Sequence, residues 1–132
     1  MDVLILAGGL SHERDVSIRS GRRVAEALRG AGVKSEVKDV DSDLVPHLRS
    51  LTTTIVWPLL HGASGEDGSL QDILEMCGVT YVGSDPRDAR VAWSKPVAKT
   101  IAHQAGVSTP DYVTLPASLF GELGADSVLD AL

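Results

Sequence analysis

The sequence predicts an α/β domain: an open parallel sheet in three layers, with helices on both faces. Two observations carry that expectation. Val3–Ala7 and Thr53–Leu60 are β-rich apolar runs without polar alternation, the pattern of strands buried on both faces. Each run leads through a glycine-containing loop into a segment of helical periodicity, the order that parallel crossovers require. The 132 residues suffice for one core without disulfide or metal staples.

Taken in order, Val3–Ala7 is the first strand, closed by Gly8-Gly9. Ser11 is the expected cap of the helix that follows, with Glu13 and Asp15 in its first turn and Val24, Ala25 and Leu28 as its buried stripe. Gly30 and Gly32 end it. Ser35–Asp39 is polar and only weakly strand-like, and Leu44, Val45 and Leu48 suggest a short helix. Thr53–Leu60 is the second strong strand, opening into a loop at residues 61–68. Leu70, Ile73, Leu74 and Cys77 then fall at helical spacing, so Cys77 reads as a small core residue. Thr80–Val82 is expected as a third strand, and Arg87–Ser94 and Lys95–Ala105 as two helices. Tyr112–Leu115 could be one more strand, and Ser127–Leu132 a last helix with little to cover its apolar side. These features divide the chain into an α/β domain at 1–106 and a linker-like segment at 107–132.

Composition excludes several classes. The 18 acidic residues against 12 Lys and Arg leave a net charge of −6, which argues against nucleic acid or an anionic membrane as partner. Arg14, Arg19, Arg22, Arg23, Arg29 and Lys34 outnumber the acids of the first 34 residues, a pattern that reads as a solvated helix face. No apolar run is long enough to span a membrane, and the start, Met1-Asp2, lacks the basic opening of a signal peptide, so a cytoplasmic protein is expected. One cysteine allows no internal disulfide, and the four histidines show no metal-ligand spacing.

The chemistry should gather at the two loops that leave the carboxyl ends of the strong strands. The first, Gly8–Asp15, is neither a G-x-G-x-x-G fingerprint nor a P-loop. It places Glu13 at a helix N-terminus, where the dipole favours a carboxylate. Glu13 therefore reads either as a plain helix-start residue or as the partner of a substrate ammonium. The second loop, 61–68, holds three glycines around Glu66-Asp67, whose carboxylates would repel a phosphate and are expected to bond backbone amides. His61 ends a buried strand facing the same crevice, as a structural histidine or as a substrate contact. Lys95, on residue pattern alone, is a surface lysine.

At these residues the sequence resembles the D-alanine:D-alanine ligases of the ATP-grasp superfamily. The resemblance rests on Ser11-His12-Glu13-Arg14-Asp15-Val16-Ser17 with Ser20-Gly21, on HGASGEDGSLQ from His61 to Gln71, and on Tyr81-Val82-Gly83-Ser84, in the family's order and intervals. It implies a Rossmann-like domain preceding the ATP-grasp fold. The family activates one D-alanine carboxylate with ATP as an acyl phosphate, and the amine of a second D-alanine attacks it, giving the cell-wall dipeptide of peptidoglycan. Carried over by residue, Glu13 would hold the ammonium of the first D-alanine as a catalytic residue, with Val16 near its methyl group. His61 would orient its carboxylate, and Lys95 would reach ATP phosphates. Trp93-Ser94 stand before Lys95 where the family commonly has an aspartate.

The resemblance further implies a central ATP-grasp domain and a C-terminal domain with magnesium ligands, neither of which is in this sequence. ATP and Mg2+ therefore belong to the full-length enzyme and are not expected to bind this chain tightly; the isolated chain is expected to be inactive. D-alanine, the remaining domains and a second copy in a homodimer are the expected partners. A noncatalytic relative serving as a dimerisation or regulatory module is the alternative.

Overall fold

The computed structural model describes residues 2–131. β1 (Asp2–Leu6) is the centre of a three-stranded sheet, flanked by β2 (Lys34–Lys38) and β3 (Thr54–Pro58) in the order β2-β1-β3. All pairings are parallel, with Leu4 of β1 opposite Glu36 and Val56. Between the strands run α1 (Arg14–Gly30) and α2 (Leu44–Ser50); after β3 come α3 (Ala63–Glu66), α4 (Ser69–Met76) and α5 (Pro86–Trp93).

The apolar run of β1 is continuous because both of its faces are covered. Val3, Ile5 and Ala7 pack with Ala25, Val24 and Leu28 of α1, while Leu4 and Leu6 pack with Val56, with Leu44 and Leu48 of α2, and with Leu70 and Leu74 of α4. Leu6, Leu48 and Leu74 are fully buried there. Cys77 joins the edge of that second cluster, as its spacing suggested.

Several elements differ from expectation, each for a local reason. The weakly strand-like segment is a true strand, β2, whose polar residues are tolerated because it is the sheet's edge. The expected third strand at Thr80–Val82 is a single bridge from Tyr81 to Val56, made by bonds from the Val56 amide to the Thr80 carbonyl and from the Val82 amide to the Val56 carbonyl. Positive-φ glycines at Gly78 and Gly83 turn the chain before and after it, leaving no length for a ladder. At the start of α1, the N-cap is Glu13 rather than Ser11, and no side chain caps the helix. Ser11 instead accepts a hydrogen bond from the Glu13 amide, while its hydroxyl donates to the His61 carbonyl in the loop beyond β3.

Two compact units are present, Met1–Lys95 and Pro96–Leu132. The second contains most of α6 (Lys95–Gln104), followed by α7 (Ala117–Leu123) and α8 (Ala125–Asp130), whereas the division expected from composition lies after Gly106. Within it, 112–115 forms no strand: Pro110 and Pro116 bound the segment, and the Tyr112 hydroxyl bonds the Thr100 hydroxyl and Pro96 carbonyl while Lys99 lies 5.0 Å from its ring centre. The expected last helix is α8; its Val128 is buried and Leu129 exposed, and Leu132 lies outside the described residues.

Candidate functional site

The strand ends and the N-terminal half of α1 are joined by three serines. Ser17 is fully buried; its hydroxyl accepts from the Gly8 amide at 2.8 Å and donates to the Leu59 carbonyl at 2.7 Å. Ser11 donates to the His61 carbonyl at 2.7 Å. The Ser20 hydroxyl lies 3.2 Å from Nε2 of His61. Ser17, Ser20 and Gly21 fall at i, i+3 and i+4 on one helical face, which turns toward the sheet. Helical spacing in the sequence thus becomes a row of contacts from α1 to the ends of β1 and β3.

The second loop is held by its own acids. Glu66 accepts from the Gly62 amide at 3.2 Å, and its other oxygen lies 3.8 Å from Nδ1 of His61. Asp67 accepts from the Ser69 amide at 2.9 Å, a bond that holds its carboxyl below the usual range. Both acids therefore bond backbone amides, as expected. Gln71 donates from its buried amide to the Gly65 carbonyl at 3.1 Å. Gly65 itself is forced: a β-carbon there would lie 2.5 Å from that of Leu60 and 2.8 Å from the Leu60 carbonyl oxygen.

These ties bring the two loops face to face. A β-carbon on Gly62 would stand 3.1 Å from the Ser11 β-carbon and 3.8 Å from Oε2 of Glu13. Glu13 is exposed, with its carboxylate beside the loop that carries His61. The result is an accessible acid and a half-buried imidazole at the carboxyl edge of a parallel sheet, where such folds bind ligands.

Comparison with known proteins sets this geometry in a family. Residues 30–84 match the family described as "D-ala D-ala ligase N-terminus". The D-alanine–D-alanine ligase of Coprothermobacter proteolyticus is 39% identical over 114 residues, which cover 86% of this chain and 38% of that protein. Among solved structures, the Coxiella burnetii D-alanine–D-alanine ligase aligns with a TM-score of 0.74 at 25% identity, over 89% of this chain and 45% of that one. The Bacillus anthracis enzyme complexed with ATP aligns with a TM-score of 0.73 at 27% identity, over 94% and 45%. In sequence and fold, this chain is similar to the N-terminal part of D-alanine–D-alanine ligases. It spans less than half the length of the relatives named here.

In this domain the structure brings Glu13 beside the loop that carries His61. Val16 is 41% exposed on the first turn of α1. Lys95 is exposed at the start of α6, and among the described residues no hydrogen bond or ion pair joins it to the Glu13–His61 edge. Nor do three or more His, Cys, Asp or Glu side chains converge among the described residues as a metal site would need.

Residue pattern alone missed Asp39 and the role of Arg14. Oδ1 of Asp39 accepts from the Gly9 and Val40 amides, each at 2.8 Å, and Oδ2 pairs with Arg14 at 2.5 Å. The other guanidinium nitrogen donates to the Gly9 carbonyl at 2.8 Å. Arg14 first, and then these amide bonds, hold the Asp39 carboxyl down at about 2. Asp39 closes a polar edge strand in the sequence, with no motif around it to mark it out. A mainly apolar cleft of about 400 Å³ adjoins the same loops, lined by Gly9, Leu10, Val40, Leu60, Ser64 and Ile73 among others; neither Glu13 nor His61 lines it.

Proposed function

We propose that this domain binds the first amino acid of an ATP-dependent D-alanine:D-alanine ligase, whose dipeptide product serves peptidoglycan synthesis and cell shape. The observation that carries the proposal is the placement of Glu13 beside the His61 loop, fixed by the Ser11 bond to the His61 carbonyl. An accessible carboxylate suits an ammonium, and an imidazole beside it can donate to a carboxylate. An α-amino acid carries both groups on one carbon. Glu13 takes the ammonium, His61 orients the carboxylate, and Val16 contacts the methyl group. Lys95 reaches toward ATP phosphates.

ATP and Mg2+ supply the activation of the carboxylate in the whole enzyme. The ligands of Mg2+ and the pocket for the acceptor amino acid are assigned, in this reading, to the parts of the enzyme outside this chain. The proposed setting is the cytoplasm, and the proposed assembly a homodimer.

The test is a titration of the 15N-labelled chain with D-alanine and L-alanine, followed by NMR. D-alanine should shift the amides of Glu13 and of Gly62–Glu66, more weakly for the L-isomer, with no ATP turnover. Glu13→Gln should abolish the shifts. Equal response of this variant to D-alanine would overturn the assignment of Glu13.

A further inference from the structure

Asp39 and Arg14 enclose Gly9. Both backbone polar groups of Gly9 are taken, its amide by Asp39 and its carbonyl by Arg14, while the two side chains pair with each other. Gly8 makes this approach passable: its φ is +115°, and a β-carbon there would overlap the Asp39 carboxylate. Glu13 is consequently bracketed. Ser11, two residues before it, is tied to the His61 carbonyl in the loop after β3, and Arg14, next after it, is tied to Asp39 just beyond β2.

The pairing also has an electrostatic consequence. Arg14 is the cation nearest to Glu13 in sequence, and an unpaired guanidinium there would compete with a substrate ammonium for the same carboxylate. Asp39 takes that guanidinium, and among the described residues Glu13 has no ion-pair partner.

We propose that Asp39 and Arg14 are positioning residues for the ammonium site: they fix the Gly9–Glu13 turn and keep the Glu13 carboxylate available. Neither touches the substrate. The proposal rests on the reading of Glu13 given above.

The experiment uses the 15N-labelled chain, with D-alanine as the probe and heteronuclear NOEs as a measure of loop order. Asp39→Asn should weaken D-alanine binding about tenfold or more, the scale of one charge-assisted hydrogen bond. It should also lower the NOEs of Gly9–Glu13 while those of Gly62–Glu66 hold. The double variant Arg14→Gln/Asp39→Asn should regain part of the affinity, because the freed cation is gone; a purely structural role predicts a further loss. Should Asp39→Asn not fold, Arg14→Lys serves instead, since an ammonium cannot span the Gly9 carbonyl and Asp39 as the guanidinium does. Binding by the single variant within about twofold of the unaltered chain would overturn the proposal. Retained binding by Glu13→Gln overturns the ammonium assignment and, with it, this role. If the unaltered chain shows no response to D-alanine, the NOEs decide: loosening confined to Gly9–Glu13 supports the clamp, and unchanged values overturn it.

Discussion

Gly21 of α1 lies so close to Ala7 at the end of β1 that a β-carbon on it would stand 2.6 Å from the Ala7 β-carbon. The helix is seated on the strand by the absence of a side chain. Replacing a mid-helix glycine by alanine ordinarily gains about 0.5–1 kcal/mol from helix propensity. Here the neighbour is a β-carbon on the central strand and cannot swing aside, so the overpacking cost of about 1–3 kcal/mol should win. Gly21→Ala is expected to lower stability in urea denaturation. A rise in midpoint would show that α1 can lift from the sheet at little cost.

Ser17 gives a second expectation. Its hydroxyl satisfies the Gly8 amide and the Leu59 carbonyl in a fully buried position. Ser17→Ala leaves both without that partner, at about 1–3 kcal/mol each when water cannot enter. A loss of about 2–4 kcal/mol is expected by denaturant titration. Ser11→Ala should cost less than about 1 kcal/mol, because its site is only part-buried and water can replace the hydroxyl.

Acid sensitivity should be traceable to Asp39. Its carboxyl titrates at about 2 in the folded chain against an ordinary 3.8, so the unfolded chain binds the proton first. The resulting stabilisation is fully present above 3.8 and is lost as pH falls from there through about 2. Asp67, also held low, acts with the same sign. Melting temperature followed into this range should fall less steeply in Asp39→Asn than in the unaltered chain.

His61 should carry its neutral proton on Nδ1. Nε2 accepts from Ser20 at 3.2 Å, and Glu66, 3.8 Å from Nδ1, is beyond hydrogen-bond reach, so the Nδ1–H stays free to donate to a substrate carboxylate. Ring 15N shifts at neutral or mildly alkaline pH should show a protonated Nδ1 and a bare Nε2. Ser20→Ala should move the Nε2 signal while leaving Nδ1 protonated. A predominant Nε2–H form in the unaltered chain would refute this arrangement.

Much of the fold was readable because local pattern and burial agree. Val3–Ala7 is apolar on both faces because α1 covers one and α2 with α4 the other, and the helical spacing of Leu70, Ile73, Leu74 and Cys77 follows one core cluster. β2 was faint in the sequence because an edge strand needs no second apolar face. Thr80–Val82 carried strand-like residues, yet its pairing depends on how Gly78 and Gly83 turn the chain, which propensity does not encode. α7 lay in a segment from which only a final helix was expected.

The same division holds for the site. Chemistry that resides in residue type and position was visible in one dimension: an acid at a helix start, a histidine ending a buried apolar run, and acids among glycines bonding amides. By itself the sequence determined an α/β domain with two loops at one sheet edge, and a family resemblance. What only the tertiary structure decided are contacts between residues far apart in the chain: Ser11 on His61, Ser17 on Leu59, and Asp39 on Gly9 and Arg14. A carboxylate's partner depends on which strand ends lie side by side. That adjacency is set by packing across the whole sheet, so no local pattern in the sequence records it.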